Sequence, residues 1–140
     1  LGKKSLGLLP VVSSMPKDNH SLMQLYLDGP NKYFYTFFNV LENKDIKIKN
    51  GGLLNTHKFL KNLSIEKIKQ SQMIATEKVF ISKKIPFRSF RILKRNEQSL
   101  GELFCFFILE TILLGRALNV NPFDQPSVEL IKIETKKILS

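Results

Sequence analysis

Apolar and polar residues alternate along this chain in two rhythms, and the rhythm changes at recognisable punctuation. Leu8 to Ser13 is a short apolar run between Gly7 and the Met15-Pro16 break, which predicts a buried strand. Beyond it, Asp18 stands as an N-cap, Leu22, Leu25 and Tyr26 recur at spacings of three and four, and Gly29-Pro30 supplies a left-handed exit. This predicts a helix over Asn19 to Asp28. Tyr33 to Val40 is dense in aromatic and β-branched residues and predicts a second strand. The Lys- and Asn-rich stretch from Leu41 to Asn55, ending in Gly51-Gly52, reads as a connection with room for a short edge strand.

Ser64 to Lys83 carries Ile65, Ile68, Ala75 and Val79 at helical intervals, with Lys and Gln between them, and predicts an amphipathic helix. Phe87 to Leu93 returns to the period of two. Ser99 and Glu102 have the spacing of a capping box and open a helix to about Leu118 that is apolar on nearly every side; such a helix calls for burial, yet the chain by itself lacks strands to cover it and is expected to expose apolar area there. Pro126 suits a first helical turn, with Val128, Ile131, Thr135 and Ile138 as the packed stripe of a terminal helix. Alternating strands and helices predict an α/β fold with a parallel-rich sheet.

Composition narrows the function classes. The chain has 140 residues, 43% hydrophobic and 24% charged, the size and balance of one globular domain rather than of disorder or a disulfide scaffold. Its net charge of +10 comes mostly from Lys, and Arg88, Arg91, Arg95 and Arg116 are scattered, so it argues weakly for nucleic acid, whose readers cluster Arg on one face. No apolar run reaches the roughly 20 residues of a membrane span. The single cysteine, Cys105, lies in the apolar run Leu103 to Leu109 and is expected to be a buried core thiol in a reducing compartment.

Two histidines and one cysteine make no metal site by ligand spacing, and no phosphate loop of Walker or Rossmann spacing occurs. His57 reads as a surface or helix-start residue. His20 falls on the second residue of the helix expected after Asp18, where the positive end of the helix dipole favours a neutral ring able to accept or donate a proton. The alternative for His20 is a capping or packing role. Lys132, with Glu129 three residues before and Lys136 four after, reads by itself as half of a helical ion pair.

The run Asn121-Pro122-Phe123-Asp124-Gln125-Pro126-Ser127-Val128-Glu129-Leu130-Ile131-Lys132 resembles the C-terminal signature of the phosphoglucose (glucose-6-phosphate) isomerase family. There an aromatic-Asp-Gln, a Gly-Val-Glu and a Lys open the helix that bears the catalytic lysine; Ser127 stands where the family usually has Gly. Lys17-Asp18-Asn19-His20-Ser21 with Gln24-Leu25 resembles the family's catalytic-histidine segment. Gln72 to Thr76 and Gly101-Glu102-Leu103 fall where its later helices lie, so the likeness covers nearly the whole chain in order.

The resemblance implies a sugar-isomerase (SIS) type three-layer α/β fold with C-terminal helices. It implies a role for His20 in opening the sugar ring, for Lys132 near the ring oxygen, and for Gln125 in lining the sugar-phosphate pocket. It implies exchange of glucose 6-phosphate and fructose 6-phosphate through a cis-enediolate without metal or organic cofactor, in a cytoplasmic homodimer with no nucleic-acid or membrane partner. The family's glutamate base precedes the histidine and is followed by Ser and soon by Gly-Lys. Here no Glu precedes Glu42 and Leu1-Gly2-Lys3 resembles the end of that motif, so the base is expected ahead of Leu1, in a missing N-terminal part. Residues 1–140 are then the C-terminal part of such an enzyme, with little activity alone, because proton transfer needs the positioned base. A non-catalytic sugar-phosphate-binding regulator on the same fold is the competing reading; it need not keep both His20 and Lys132.

Overall fold

The computed structural model describes residues 2–30, 32–41, 46–48 and 55–140. They divide into two compact units, Val12–Leu100 and a second made of Leu1–Val11 with Gly101–Ser140. The larger unit is built on one β–α–β crossover. Strand β1 (Tyr35–Val40) runs parallel to β2 (Phe87–Ile92), in register from Tyr35 opposite Phe87 to Val40 opposite Ile92. The connection contains a long helix and precedes β2 by a short turn, as a parallel pair requires.

That helix, Ile65–Ser82, starts where Ser64 accepts a hydrogen bond from the Lys67 amide at 3.2 Å, satisfying one of the free donors of the first turn. Its Phe80 has no exposed surface and receives Tyr35, Phe37 and Phe87 at ring-centroid distances of 5.0, 5.2 and 5.9 Å, all edge to face. The period of two accounts for this: Tyr35 and Phe37 leave β1 on the same side. Asn39, next on that side, exchanges two side-chain hydrogen bonds with Gln70 of the helix, at 2.7 and 3.1 Å. On the other side Phe38 stacks on Phe90 at 5.4 Å, and the Arg88 guanidinium lies over the Phe34 and Phe90 rings. Burial pushes the Tyr35 phenol above its ordinary range, helped by the neighbouring Tyr26 and Tyr33.

Several expectations are corrected. Leu8 to Ser13 forms no strand, and Leu8, Leu9 and Val12 are almost fully exposed. β-Branched and apolar content suits a strand, but a ladder also needs a neighbouring edge, and none among the described residues pairs with this run. The helix expected over Asn19 to Asp28 is a 3-10 turn, Lys17–Asn19, followed by the short helix α1, Met23–Asp28. Asp18 is not an N-cap: its carboxylate accepts the Ser14 amide at 2.6 Å, closing the loop that precedes the turn. Gly29 is extended, with φ −80° and ψ −167°, rather than left-handed. Glycine is nevertheless required there, because a Cβ would stand 2.2 Å from the Leu25 carbonyl oxygen. Lys83 pairs with Asp28 at the end of α1, and that ammonium holds the Asp28 carboxyl below the usual carboxylate range.

With Ile65–Ser82 as α2, the third helix α3 spans Glu97–Ala117 and α4 spans Pro126–Leu139. The box expected from Ser99 and Glu102 does not open α3; the Asn96 side chain does, accepting the Ser99 amide at 2.9 Å. Helix α3 calls for burial by its pattern but is uncovered in this chain, as the lack of covering strands leads one to expect. Phe104, Ile108 and Leu113 are more than half exposed, Gly115 is its one buried residue, and Cys105 is exposed rather than a core thiol. The same holds for the stripe on α4, where Ile131 and Ile138 are exposed. Periodicity states which faces are apolar; whether another layer covers them depends on tertiary contacts. Between Leu41 and Asn55, Lys47 forms an isolated antiparallel bridge with Ser64, and Gly51-Gly52 lies outside the described residues. No described helix is long and apolar enough to cross a membrane.

Candidate functional site

Gln125 and Lys132 both belong to the second unit, at the start of α4 and within it. Pro126 takes the first helical position, where its missing N–H costs nothing, and Gln125 is the N-cap residue, with φ −134° and ψ 65° and no capping hydrogen bond from its side chain. Nearly two turns into the helix, the Lys132 ammonium donates to Glu129 Oε1 at 2.6 Å, with both side chains about two-thirds exposed. The next turn repeats the arrangement: Lys137 donates to Glu134 at 2.6 Å with nearly equal exposure. Local geometry therefore makes Lys132 and Lys137 equivalent ion-pair partners.

The turn that precedes α4 is more constrained than the helix. Val120 is buried and its amide donates to the Gly115 carbonyl at 2.9 Å, while Pro122 packs so closely on Gly115 that an added Cβ would stand 3.0 Å from the proline ring. Asn121 Oδ1 accepts the Phe123 amide at 3.0 Å, a local turn that sets the chain direction towards Gln125. Two lysines from the far end of the sequence close on this turn. Lys3 donates to the Asp124 carboxylate and to the Asn121 carbonyl, and Lys4 donates to the Asn119 carbonyl at 3.0 Å. Lys3, Lys4, Ser5, Asp124 and Ser127 line an open polar depression there. Neither lysine is recognisable from local sequence, because partners more than a hundred positions away leave no periodic signal.

His20 lies in the larger unit. The position expected for it is corrected: it is the residue that ends the 3-10 turn Lys17–Asn19, with φ −79° and ψ −26°, and not the second residue of a capped helix. A helix-dipole argument does not apply to the trailing end of a three-residue turn. The imidazole is exposed. Its neighbour Asn19 lines a cleft of about 350 Å³ between β1, α2 and the loop from Ser13, together with Asn39, Lys69, Gln72 and Thr76. Asn19 Oδ1 is buried without a hydrogen-bond partner. His57 sits exposed on the 3-10 segment Asn55–Leu60, its Nδ1 3.1 Å from the Thr56 hydroxyl, a surface residue as expected. Among the described residues no three His, Cys, Asp or Glu side chains gather as metal ligands.

Comparison with known proteins adds what geometry alone does not supply. No family model matches the chain. Curated relatives do. A probable glucose-6-phosphate isomerase of Methanococcus maripaludis is 32% identical over 130 residues, 92% of this chain and 29% of the relative. Glucose-6-phosphate isomerases of Methanocaldococcus jannaschii and Mycoplasmopsis pulmonis are 31% and 34% identical over 141 residues, 99% of this chain and 33% of each relative. The chain belongs to the glucose-6-phosphate isomerase family. It spans about a third of the length of the family members it matches. Among solved structures, a hypothetical protein from Thermus thermophilus superposes with a TM-score of 0.78 at 25% identity, over 90% of this chain and 31% of that one. Of the two lysines, only Lys132 falls in the run from Asn121 that resembles the family's C-terminal signature.

Proposed function

We propose that this chain is the C-terminal part of a cytoplasmic, homodimeric glucose-6-phosphate isomerase with an SIS-type fold, completed by an N-terminal part that carries the glutamate base. The observation that carries the reading is the match to proteins of that name over 92–99% of the chain. The residues expected to act, His20, Gln125 and Lys132, stand in family-like segments at both ends of the match.

In this reading the cyclic sugar phosphate opens first. Opening requires a proton at the ring oxygen and removal of one from the anomeric hydroxyl, and His20 and Lys132 supply a proton acceptor and an ammonium donor for those tasks. Gln125 offers an amide, both donor and acceptor, to the sugar-phosphate pocket. The upstream glutamate then moves a proton between C2 and C1 through the enediolate. No metal or organic cofactor takes part.

The complete polypeptide is expected to convert fructose 6-phosphate to glucose 6-phosphate in an assay coupled to a glucose-6-phosphate dehydrogenase, with turnover unchanged by EDTA. Absence of turnover in a folded protein, or turnover abolished by EDTA and restored by a divalent ion, refutes the reading.

A further inference from the structure

We propose that Lys3 is a positioning residue that holds the start of α4, and with it Gln125 and Lys132, in the orientation the isomerase reaction needs. The assignment rests on the isomerase reading for the consequence in activity, and on unit geometry for the contact itself. The Lys3 side chain is only 18% exposed, and its ammonium has two acceptors on the same turn, the Asp124 carboxylate and the Asn121 carbonyl. Asp124 itself is about half exposed, so the grip comes from one cation bridging two acceptors of the same turn rather than from burial of the pair.

Within this chain Gln125 provides no side-chain cap, and every residue from Pro126 to Ser140 is exposed, so the contacts that reach the start of α4 come through the turn before it. Asp124 is adjacent to Gln125 in sequence. The ion pair with Lys3 is thus applied at the hinge between the packed turn at Gly115–Pro122 and the exposed helix. Lys4, gripping the Asn119 carbonyl, fixes the same N-terminal segment to the other end of the turn. A small rotation at that hinge displaces a side chain two turns along the helix by more than an ångström, a scale of misplacement that costs about a hundredfold in rate.

The test uses the complete polypeptide. Lys3→Met is expected to lower kcat roughly ten- to hundredfold with a smaller rise in KM, while the far-ultraviolet spectrum is retained. Lys3→Arg keeps the charge and the reach to both acceptors and is expected to recover most of the loss. Asp124→Asn is expected to reproduce the defect, and the double variant Lys3→Met/Asp124→Asn to be no worse than either single one. Hydrogen exchange supplies a readout independent of activity: the Val128 to Leu130 amides are expected to exchange faster in Lys3→Met than in the parent, and Lys137→Met to leave both readouts unchanged. Normal kcat and normal exchange in Lys3→Met overturn the proposal, as do independent, multiplicative losses in the double variant. A parent protein that is folded but without isomerase turnover refutes the isomerase reading instead, while unchanged exchange in its Lys3→Met variant would still refute the clamp. If Lys3→Met fails to fold, the Asp124→Asn and Lys3→Arg proteins carry the same comparisons.

Discussion

Lys132 and Lys137 form a matched pair, and replacing each by Met separates catalysis from ordinary helix electrostatics. Both donate to a glutamate three residues earlier at 2.6 Å, and side-chain exposures are 66% and 61% in one pair against 65% and 64% in the other. As surface ion pairs at that spacing they contribute about 0.2 to 0.5 kcal/mol each, and removing either is expected to lower stability equally and slightly. Methionine keeps the length and helix preference of lysine, so backbone effects cancel as well. If Lys132 handles a proton near the ring oxygen, its loss is expected to cost about 10² to 10⁴ in kcat, which is roughly 2.7 to 5.4 kcal/mol at the transition state. That is about ten times what the ion pair can supply. The assay is turnover of the complete polypeptide in the coupled reaction, with thermal unfolding by circular dichroism as the folding control. Lys137→Met is expected to retain the parent rate. Near-parent rates for both variants, or equal losses in both, refute the catalytic assignment of Lys132.

Other outcomes test the fold and the second site residue. Phe80→Ala removes the one ring buried against Tyr35, Phe37 and Phe87, and is expected to cost about 3 to 5 kcal/mol in urea unfolding; a loss below about 1 kcal/mol, the ordinary effect of an arbitrary substitution, would mean that these rings do not form a packed core. His20→Ala is expected to slow turnover of cyclic substrate more than of the open-chain sugar, and equal losses on both would remove its role in ring opening. The raised Tyr35 phenol predicts a sign for alkaline pH: the folded state favours the neutral phenol, so stability is full below the ordinary tyrosine value of about 10 and falls as pH rises past it. Ultraviolet titration of phenolate is expected to lose its highest-pH component in Tyr35→Phe; an unchanged upper limb would contradict the burial argument.

Sequence patterning by itself determined the β–α–β unit. The aromatic run before Val40, the alternation from Phe87 and the helical periodicity from Ser64 to Lys83 each reappear within two residues of their expected bounds. These signals are local: a period of two and a period of 3.6 are satisfied by neighbours in the chain. The start of α4 at Pro126 was legible for the same reason, and so was the run from Asn121 to Lys132 that carries the family likeness. Tertiary structure alone decided which apolar faces are covered. Tyr35 and Phe37 are closed over by Phe80, whereas within this chain the apolar faces of α3 and α4 are exposed and Leu8 to Ser13 pairs with no strand among the described residues. It also decided what Asp18 and Lys3 do. Asp18 is of a residue type that caps helices, but it lies inside the 3-10 turn Lys17–Asn19 and its carboxylate accepts the Ser14 amide instead. Lys3 finds Asp124 across a sequence separation of 121 residues. A long-range ion pair of that kind is set by where packed turns bring distant backbone together, and local periodicity holds no record of it.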